Sequence, residues 1–395
     1  GGSSGFFEIG QLEERRKRRH SYHVQWQQSK AIVQEENAAG RALRHEKQLP
    51  IVYMSPLEGT RGAPERHISA DPCMLVVALA HRTEAQTVLM AILSLLKDAS
   101  SGLQGGIYLL TSQTIAARAG EYVVPDHAGV WGLNRSARSE APMLSLNSVD
   151  LGAEGSSAAM LHSLPPTEPE VASRSDHTIM LVPRLVAANY VNRGSSTSST
   201  EPSTHLVTGG TGGLGLLTAN WLSSAEASSS PHLVLISRSG TLHSEAATKL
   251  RECNGGLTIR SCDVSEWLDA RSNLATIHYA SPPLRGVWHT AGVLADGLLA
   301  RQDASTLRRA HGPKSIGAQH LHRANACIEL DACVHFSSVA GLIGGAGQAN
   351  YASANTMLDA LASCKRAQGG NAVSVNWGPW AEIGMASGDA INARM

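Results

Sequence analysis

Four residues of this 395-residue chain have the types and the order that proton transfer to a carbonyl requires. In the stretch SSVAGLIGGAGQANYASAN, Ser338 precedes Tyr351 by thirteen residues, and Asn355 follows Tyr351 by four. Lys314 lies upstream, in GPKSIGAQ. A ketone that accepts a hydride develops an alkoxide and needs a proton. A tyrosine supplies it if a nearby cation lowers its pKa. A serine hydroxyl holds the carbonyl oxygen in line. Asn355, one turn beyond Tyr351 on a helix, shares its face. The competing view of the stretch is a glycine- and alanine-rich loop, which gives no reason for the spacing.

A hydride donor must then be held nearby. After HLVTG comes a glycine turn, Thr208-Gly209-Gly210-Thr211-Gly212-Gly213-Leu214-Gly215. It satisfies GxGxxG through Gly210, Gly212 and Gly215, and TGxxxGxG through Gly209, Gly213 and Gly215. A turn without Cβ atoms lets the backbone approach a pyrophosphate, and the next helix offers free N–H groups and a positive dipole. The motif sits between a strand pattern and a helix pattern, the context that gives it meaning. The second strand ends Ser237-Arg238-Ser239. An acid there would bind a ribose 2′-hydroxyl, whereas arginine and serine suit a 2′-phosphate. The expected cofactor is therefore NADPH. Asp263 and Val264, at the end of the third strand, are expected to flank the adenine, with a plain strand-end aspartate as the alternative.

These residues need elements to position them. The second half alternates short apolar runs (HLVTG, HLVLISR, LTIRSCDV, RGVWHTAGV, DACVHFSSVAG, NAVSVNWGP) with helical patterns. The helical patterns are LGLLTANWLSS, EAATKLREC, ASTLRRAHGPKSIGAQHLHRAN and ANYASANTMLDALASCKRAQ. Repeated βαβ units predict a doubly wound parallel sheet. Ser338 then stands at the carboxyl edge, where ligands bind in such folds. The first half shows a sparser version, with strands at Met74–Ala80, GIYLLTSQ and Thr178–Val186, and helices at Glu84–Lys97 and His127–Arg138. YHVQW, Tyr22–Trp26, is an entry strand, and Gln27–Cys73 has no firm pattern. After MLVVALA comes HRTEAQ, without glycine, so a diphosphate has no close approach there. The first half is expected to be a truncated, structural Rossmann-like copy.

A run dominated by Ser and Thr, Asn192–Thr204, has linker composition. The expected units are a leader over 1–20, a structural unit over 21–191, a linker over 192–203 and a catalytic unit over 204–395. Net formal charge is zero, with none of the basic excess a nucleic-acid footprint needs. Six cysteines, at 73, 253, 262, 327, 333 and 364, show neither CxxC nor zinc-ligand spacing and suit a reducing, cytoplasmic setting. No apolar run reaches the roughly 20 residues of a membrane span. The basic run Glu13–His20 is either a solvated face or a targeting signal. The first residue is not Met, and the chain is expected to be a fragment of something longer.

The motifs TGGTGGLG, SRSG, CDV, VWHTAGVLADGLL, GPKSIGAQHLH, FSSVAGLIGGAGQANYASANTMLDALA and SVNWGPWAEIGMA cover most of Thr204–Ala386. Together they resemble the ketoreductase domain of modular polyketide synthases, a branch of the short-chain dehydrogenase/reductases. YHVQW, HAGVWGLNRSAR and LVPRLV resemble that family's structural subdomain. The resemblance implies NADPH-dependent reduction of a β-ketoacyl thioester on an acyl carrier protein, beside neighbouring synthase domains. It makes Tyr351 the general acid and Ser338 the carbonyl-orienting residue, and it completes a tetrad with Lys314 and Asn355. Asparagine after the tyrosine, with lysine upstream, is the polyketide and fatty acid synthase arrangement. Ala291 and Gly292 are implied to line the nicotinamide side.

Two positions bear on stereochemistry. Family members giving the D-hydroxyl carry Leu-Asp-Asp after AGV, and this chain has Leu294-Ala295-Asp296. The opposite class carries a tryptophan three residues before the serine, and here that place is His335. The expectation is the D-hydroxyl (B-type) outcome, with Asp296 as a helix cap the alternative. Trp377 and Trp380 are either packing aromatics or cover for the nicotinamide, and Met385 is expected near the substrate. The lid is expected to be cut short at Met395. Competing functions are a free-standing NADPH reductase of another ketone and a non-catalytic architectural domain.

Overall fold

Alternating apolar and polar runs of the first half assemble into seven strands. They are β1 (Ser21–Gln28), β2 (Ile51–Met54), β3 (Leu75–Leu79), β4 (Gly106–Ser112), β5 (Ser145–Leu151), β6 (Glu170–Arg174) and β7 (Ile179–Ala188). The order across the sheet is β1-β7-β6-β5-β4-β3-β2. Strands β2 to β6 run parallel, and β7 and β1 join antiparallel at one edge. The computed structural model describes residues 21–28, 51–54, 75–79, 84–100, 106–152, 168–174, 179–188, 201–225, 231–242 and 256–380. The expected helix at EAATKLREC and the expected substrate contact Met385 lie outside the described residues.

Helices α1 (Ala85–Ser100) and α2 (Ala128–Glu140) cover this sheet. Val88, Leu89, Ile92, Leu93 and Leu96 of α1 recur at helical spacing and are buried. They share a core with Ile107, Leu109, Val130, Leu133 and Leu146. Strand β2 falls in the stretch where the sequence shows no pattern. Strands β5 and β6 also escape periodicity, for a physical reason. Asn147, Ser148, Asp150, Glu170 and Arg174 are buried polar residues. Their partners come from elsewhere: Asn134 Nδ2 donates to Ser148 Oγ at 2.8 Å, and Arg174 Nη2 pairs with Asp150 Oδ2 at 2.8 Å. Buried polar groups of this kind are tolerated because they are bonded.

The second half forms six parallel strands: β8 (Thr204–Thr208), β9 (His232–Ser237), β10 (Leu257–Ser261), β11 (Leu284–His289), β12 (Ala332–Ser338) and β13 (Ala372–Trp377). Their order is β10-β9-β8-β11-β12-β13. The winding reverses between β8 and β11, which opens a crevice at the carboxyl ends of those two strands. Six helices are described here: α3 (Gly213–Ala225), α4 (Trp267–Ala280), α5 (Ala304–His311), α6 (Gly317–Ala324), α7 (Val339–Ile343) and α8 (Ala349–Ala367).

One expected helix differs in detail. Between α5 and α6, Gly312–Ile316 forms a π turn. Pro313 has no N–H to continue the α ladder, and the chain widens around it. Lys314 is carried on that turn.

Helix α8 joins the two halves. Fourteen of its nineteen residues are buried. It packs on β12 and β13 and also on α2. The approach to α2 is so close that a Cβ on Gly132 would stand 2.3 Å from the Ala352 carbonyl oxygen, and one on Gly129 would stand 2.7 Å from Ser353 Oγ. Glycine is required there by the neighbouring helix, not by its own turn.

Candidate active site

The tetrad expected from spacing is assembled by β12, the π turn and α8. Ser338 ends β12 in extended conformation and caps α7. Its Oγ accepts from Ala340 N at 3.2 Å, which leaves its O–H free to donate. Tyr351 stands in the first turn of α8. Asn355, one turn on, is fully buried. Its Nδ2 donates to the Tyr351 carbonyl at 2.8 Å, and its Oδ1 accepts from Lys314 Nζ at 2.8 Å. Lys314 Nζ also donates to the Phe336 carbonyl at 2.8 Å. The ammonium lies 5.1 Å from the centroid of the Tyr351 ring.

The electrostatics differ from the expectation of a tyrosine pulled down by a cation. Burial holds the Tyr351 hydroxyl above its ordinary pKa; hydrogen bonds from Ser338 and Asn355 pull it part of the way back, and Asp296 pushes it up. Lys314 is itself desolvated, and burial pushes it down to about 7, with Asp359 opposing. Its ammonium faces the ring and the Asn355 amide, and burial is the largest influence on the hydroxyl.

The glycine turn sits at the end of β8, at the reversal point. A Cβ on Gly215 would stand 2.3 Å from the Gly209 carbonyl oxygen, and Gly209 has φ +63°. These two glycines are demanded by the fold of the turn. Gly212 and Gly213 are exposed, where α3 begins and its first amides face outward. Thr208 and Gly210 are buried, whereas Thr211 and Leu214 are partly exposed. Arg238 and Ser239 are exposed at the end of β9, beside partly exposed Ser237. A cradle bare of side chains, a helix start and an exposed guanidinium fit a dinucleotide carrying an extra phosphate.

Asp263 is engaged locally, its Oδ1 accepting from Ser265 N at 3.0 Å and from Ser265 Oγ at 2.6 Å. Val264 packs against Gly317, where a Cβ would come within 2.7 Å of its Cγ2. Ala291 abuts Gly209, and Gly292 makes room for Lys314, whose Cε would lie 3.0 Å from an added Cβ. Asp296 is exposed and accepts from Gln348 Nε2 at 3.2 Å. Trp377 packs on Phe336 and on Trp380, with ring centroids 5.5 and 5.1 Å apart. His335 is not brought to the tetrad. It is buried under α8, its Nδ1 against the Leu358 carbonyl at 3.3 Å and its Nε2 near Cys333 Sγ at 3.7 Å. A strand alternates faces, and position 335 points into the core.

Some contributing residues were not singled out from the sequence. His289 Nε2 lies 2.8 Å from the Lys314 carbonyl, and Nδ1 lies 2.7 Å from Thr208 Oγ1. A carbonyl only accepts, so Nε2 carries the proton and Nδ1 accepts from the threonine. Burial, with His335 beside it, holds His289 down to about 3, so it stays neutral. It thereby ties the glycine turn's strand to the lysine's turn. Asn350 is fully buried and spends its side chain on Ala295 O at 2.8 Å, Thr306 O at 3.1 Å and Tyr351 N at 2.8 Å. Both residues lie inside motifs quoted above, VWHTAGVLADGLL and FSSVAGLIGGAGQANYASANTMLDALA, and that membership was the available signal. A cavity of about 470 Å³, lined in part by Glu84, Asp126, Leu307, His311 and Met357, lies apart from the tetrad.

Among the described residues, no helix is long and apolar enough to cross a membrane, and no His/Cys/Asp/Glu group is placed to hold a metal ion. Cys262, Cys327, Cys333 and Cys364 are free thiols.

Comparison with known proteins agrees with the two-sheet fold. The KR domain family matches residues 203–382. The Rossmann fold domain of polyketide synthase extender module SpnB matches residues 22–185. Polyketide synthase GfsB of Streptomyces halstedii is 38% identical over 291 residues, 73% of this chain and 5% of that protein. The chain thus spans a small part of the curated relatives it matches. Among solved structures, the A-type ketoreductases from a modular polyketide synthase are similar at TM-score 0.72 and 33% identity, covering 81% of this chain and 70% of theirs. The ketoreductase from the first module of phoslactomycin biosynthesis in Streptomyces sp. HK803 is similar at TM-score 0.76 and 27% identity, covering 95% and 86%.

Proposed function

The chain belongs to the ketoreductase domains of modular polyketide synthases, and on that premise we propose that it reduces a β-ketoacyl thioester to the β-hydroxyacyl thioester. We infer that the substrate arrives on an acyl carrier protein, that neighbouring synthase domains flank the chain, and that it works in the cytoplasm. The proposed units are those read from the sequence, with the linker at 192–203 dividing structural from catalytic parts.

The observation that carries this reading is the bonded chain from Lys314 Nζ through Asn355 to the Tyr351 carbonyl. It fixes the tyrosine's helix turn against the lysine and leaves the phenol hydroxyl for the substrate. NADPH is the proposed cofactor and, when bound, supplies the hydride to the carbonyl carbon. Thr208–Gly215 would hold its diphosphate, Ser237, Arg238 and Ser239 its 2′-phosphate, Asp263 and Val264 its adenine, and Ala291 and Gly292 the nicotinamide side. Ser338 donates a hydrogen bond to the carbonyl oxygen. Tyr351 gives its proton to the same oxygen as negative charge develops. Its pKa, held up by burial, keeps that proton on the hydroxyl at neutral pH. Lys314 and Asn355 hold the phenol in place and steady the phenolate that remains.

For stereochemistry, we propose the D-hydroxyl (B-type) product, on the strength of exposed Asp296 at the substrate side. Trp380 and Met385 are proposed to border the acyl chain. Reduction of a β-ketoacyl N-acetylcysteamine thioester, followed by chiral chromatography, tests both parts. Tyr351→Phe is expected to lower kcat by about 10²–10⁴-fold with the NADPH dissociation constant nearly unchanged. Full activity in that variant removes Tyr351 as proton donor, and an L-product removes the B-type assignment.

A further inference from the structure

Two backbone segments lie beside Tyr351, and on the ketoreductase reading they frame the substrate side. One, Leu294–Gln302, follows β11 and carries Asp296. The other, Gly344–Gln348, leads into α8 and Tyr351. They are stitched together: Gly297 N donates to the Gly347 carbonyl at 2.8 Å, and Gln348 Nε2 donates to Asp296 at 3.2 Å.

The N-terminal half reaches both segments with one carboxylate. Glu140, the last residue of α2, accepts from Leu299 N at 2.5 Å with Oε2 and from Gly347 N at 2.9 Å with Oε1. Ser136, one turn earlier, accepts from Gly345 N at 3.3 Å. Arg135 Nη1 donates to the Gly341 carbonyl at 2.5 Å. From α1, Lys97 Nζ donates to the Gln302 carbonyl at 3.1 Å, and Gln302 Nε2 donates to the Gly297 carbonyl at 2.6 Å. Two N–H groups meeting the two oxygens of one carboxylate are charge-assisted bonds, stronger than neutral ones. A glutamine offers a single acceptor and turns an NH₂ toward the other amide.

We propose that Glu140 is a positioning residue that sets which face of the substrate carbonyl carbon is turned to the hydride while Ser338 and Tyr351 hold its oxygen. It does so by locking the Asp296 segment against the segment entering α8, from the half of the chain that carries none of the tetrad. This rests on the ketoreductase reading above.

Glu140→Ala unlocks both segments. KM for the thioester mimic is expected to rise about fivefold to tenfold, kcat to change by about twofold or less, and the product to become a mixture of isomers. NADPH affinity stays at the wild-type value. Glu140→Gln, with one acceptor left, falls between the two and serves alone if the alanine variant does not fold. Hydrogen exchange gives a readout independent of activity: the Leu299 and Gly347 amides both exchange about tenfold faster in Glu140→Ala, and one of the two does so in Glu140→Gln. A single isomer with unchanged KM overturns the proposal. Wild-type protein that does not reduce the mimic overturns the ketoreductase reading instead. Exchange then judges the lock by itself, and unchanged protection at Leu299 and Gly347 overturns it.

Discussion

As the proposed proton donor, Tyr351 must still carry its proton when the carbonyl arrives. The site secures this by burying the hydroxyl, which raises its pKa; the Lys314 ammonium, 5.1 Å from the ring centroid, is placed to favour the phenolate once the proton has left. The same burial acts on Lys314 in the opposite direction and brings it down to about 7. An ammonium with that value is charged below pH 7 and neutral above it. The kcat/KM profile for thioester reduction is therefore expected to fall as pH rises through about 7, since kcat/KM reports the free enzyme. Lys314→Met is expected to be about 10²-fold slower and flat between pH 6 and 9. If that variant keeps the basic limb, the limb belongs to another group. Ser338, Tyr351 and Asn355 were legible because their spacing is local to one strand end and one helix start. The direction of the tyrosine's pKa shift was not, because burial is a property of the folded surroundings.

At the scale of elements, helix α8, which carries Tyr351 and Asn355, is placed by contacts on both of its sides. Its sheet side follows from the βαβ pattern and was legible. Its other side depends on Gly129 and Gly132 of α2, which read in the sequence as ordinary residues of a helical stretch. Gly132→Val would press a branched side chain against the Ala352 carbonyl, 2.3 Å from the new Cβ. Overpacking of this kind costs about 1–3 kcal/mol. A lower urea midpoint and a lower kcat are expected, with cofactor affinity less affected. Gly106→Ala serves as control, since the nearest atom to its Cβ is 3.7 Å away, and it is expected to match wild type. An unchanged urea midpoint in Gly132→Val would show that α2 and α8 can part without cost. The π turn that carries Lys314 has a visible local cause in Gly312-Pro313, yet the helical periodicity on either side of it masks the interruption.

The whole molecule buries histidines that it keeps neutral. Burial holds His289 down to about 3 and both His311 and His335 to about 4. Unfolded, each titrates near 6.5. Above that pH both states are neutral and nothing is gained or lost. As pH falls below 6.5 the unfolded chain takes up protons that the native one refuses, so stability declines, by several kcal/mol on approaching pH 4. Asp150 and Asp359, whose carboxyls burial raises, act in the opposite sense and offset part of the loss. Urea midpoints measured from pH 7.5 to 4.5 are expected to fall steadily below about 6.5; a midpoint constant over that range would show that the histidines are accessible to protons.

By itself the sequence determined the parallel sheet, the glycine turn, the residues proposed as a tetrad and their order, and the resemblance to ketoreductases. Each of these is written in short-range spacing or in a strand–turn–helix pattern. The tertiary structure alone decided that His335 faces the core and that His289 braces the lysine's turn. It alone decided that a polar strand such as β5 can be central and that Glu140 reaches Gly347 from 207 residues away. Those features depend on partners supplied from distant parts of the chain, and a buried polar group shows its purpose only when its partner is in place.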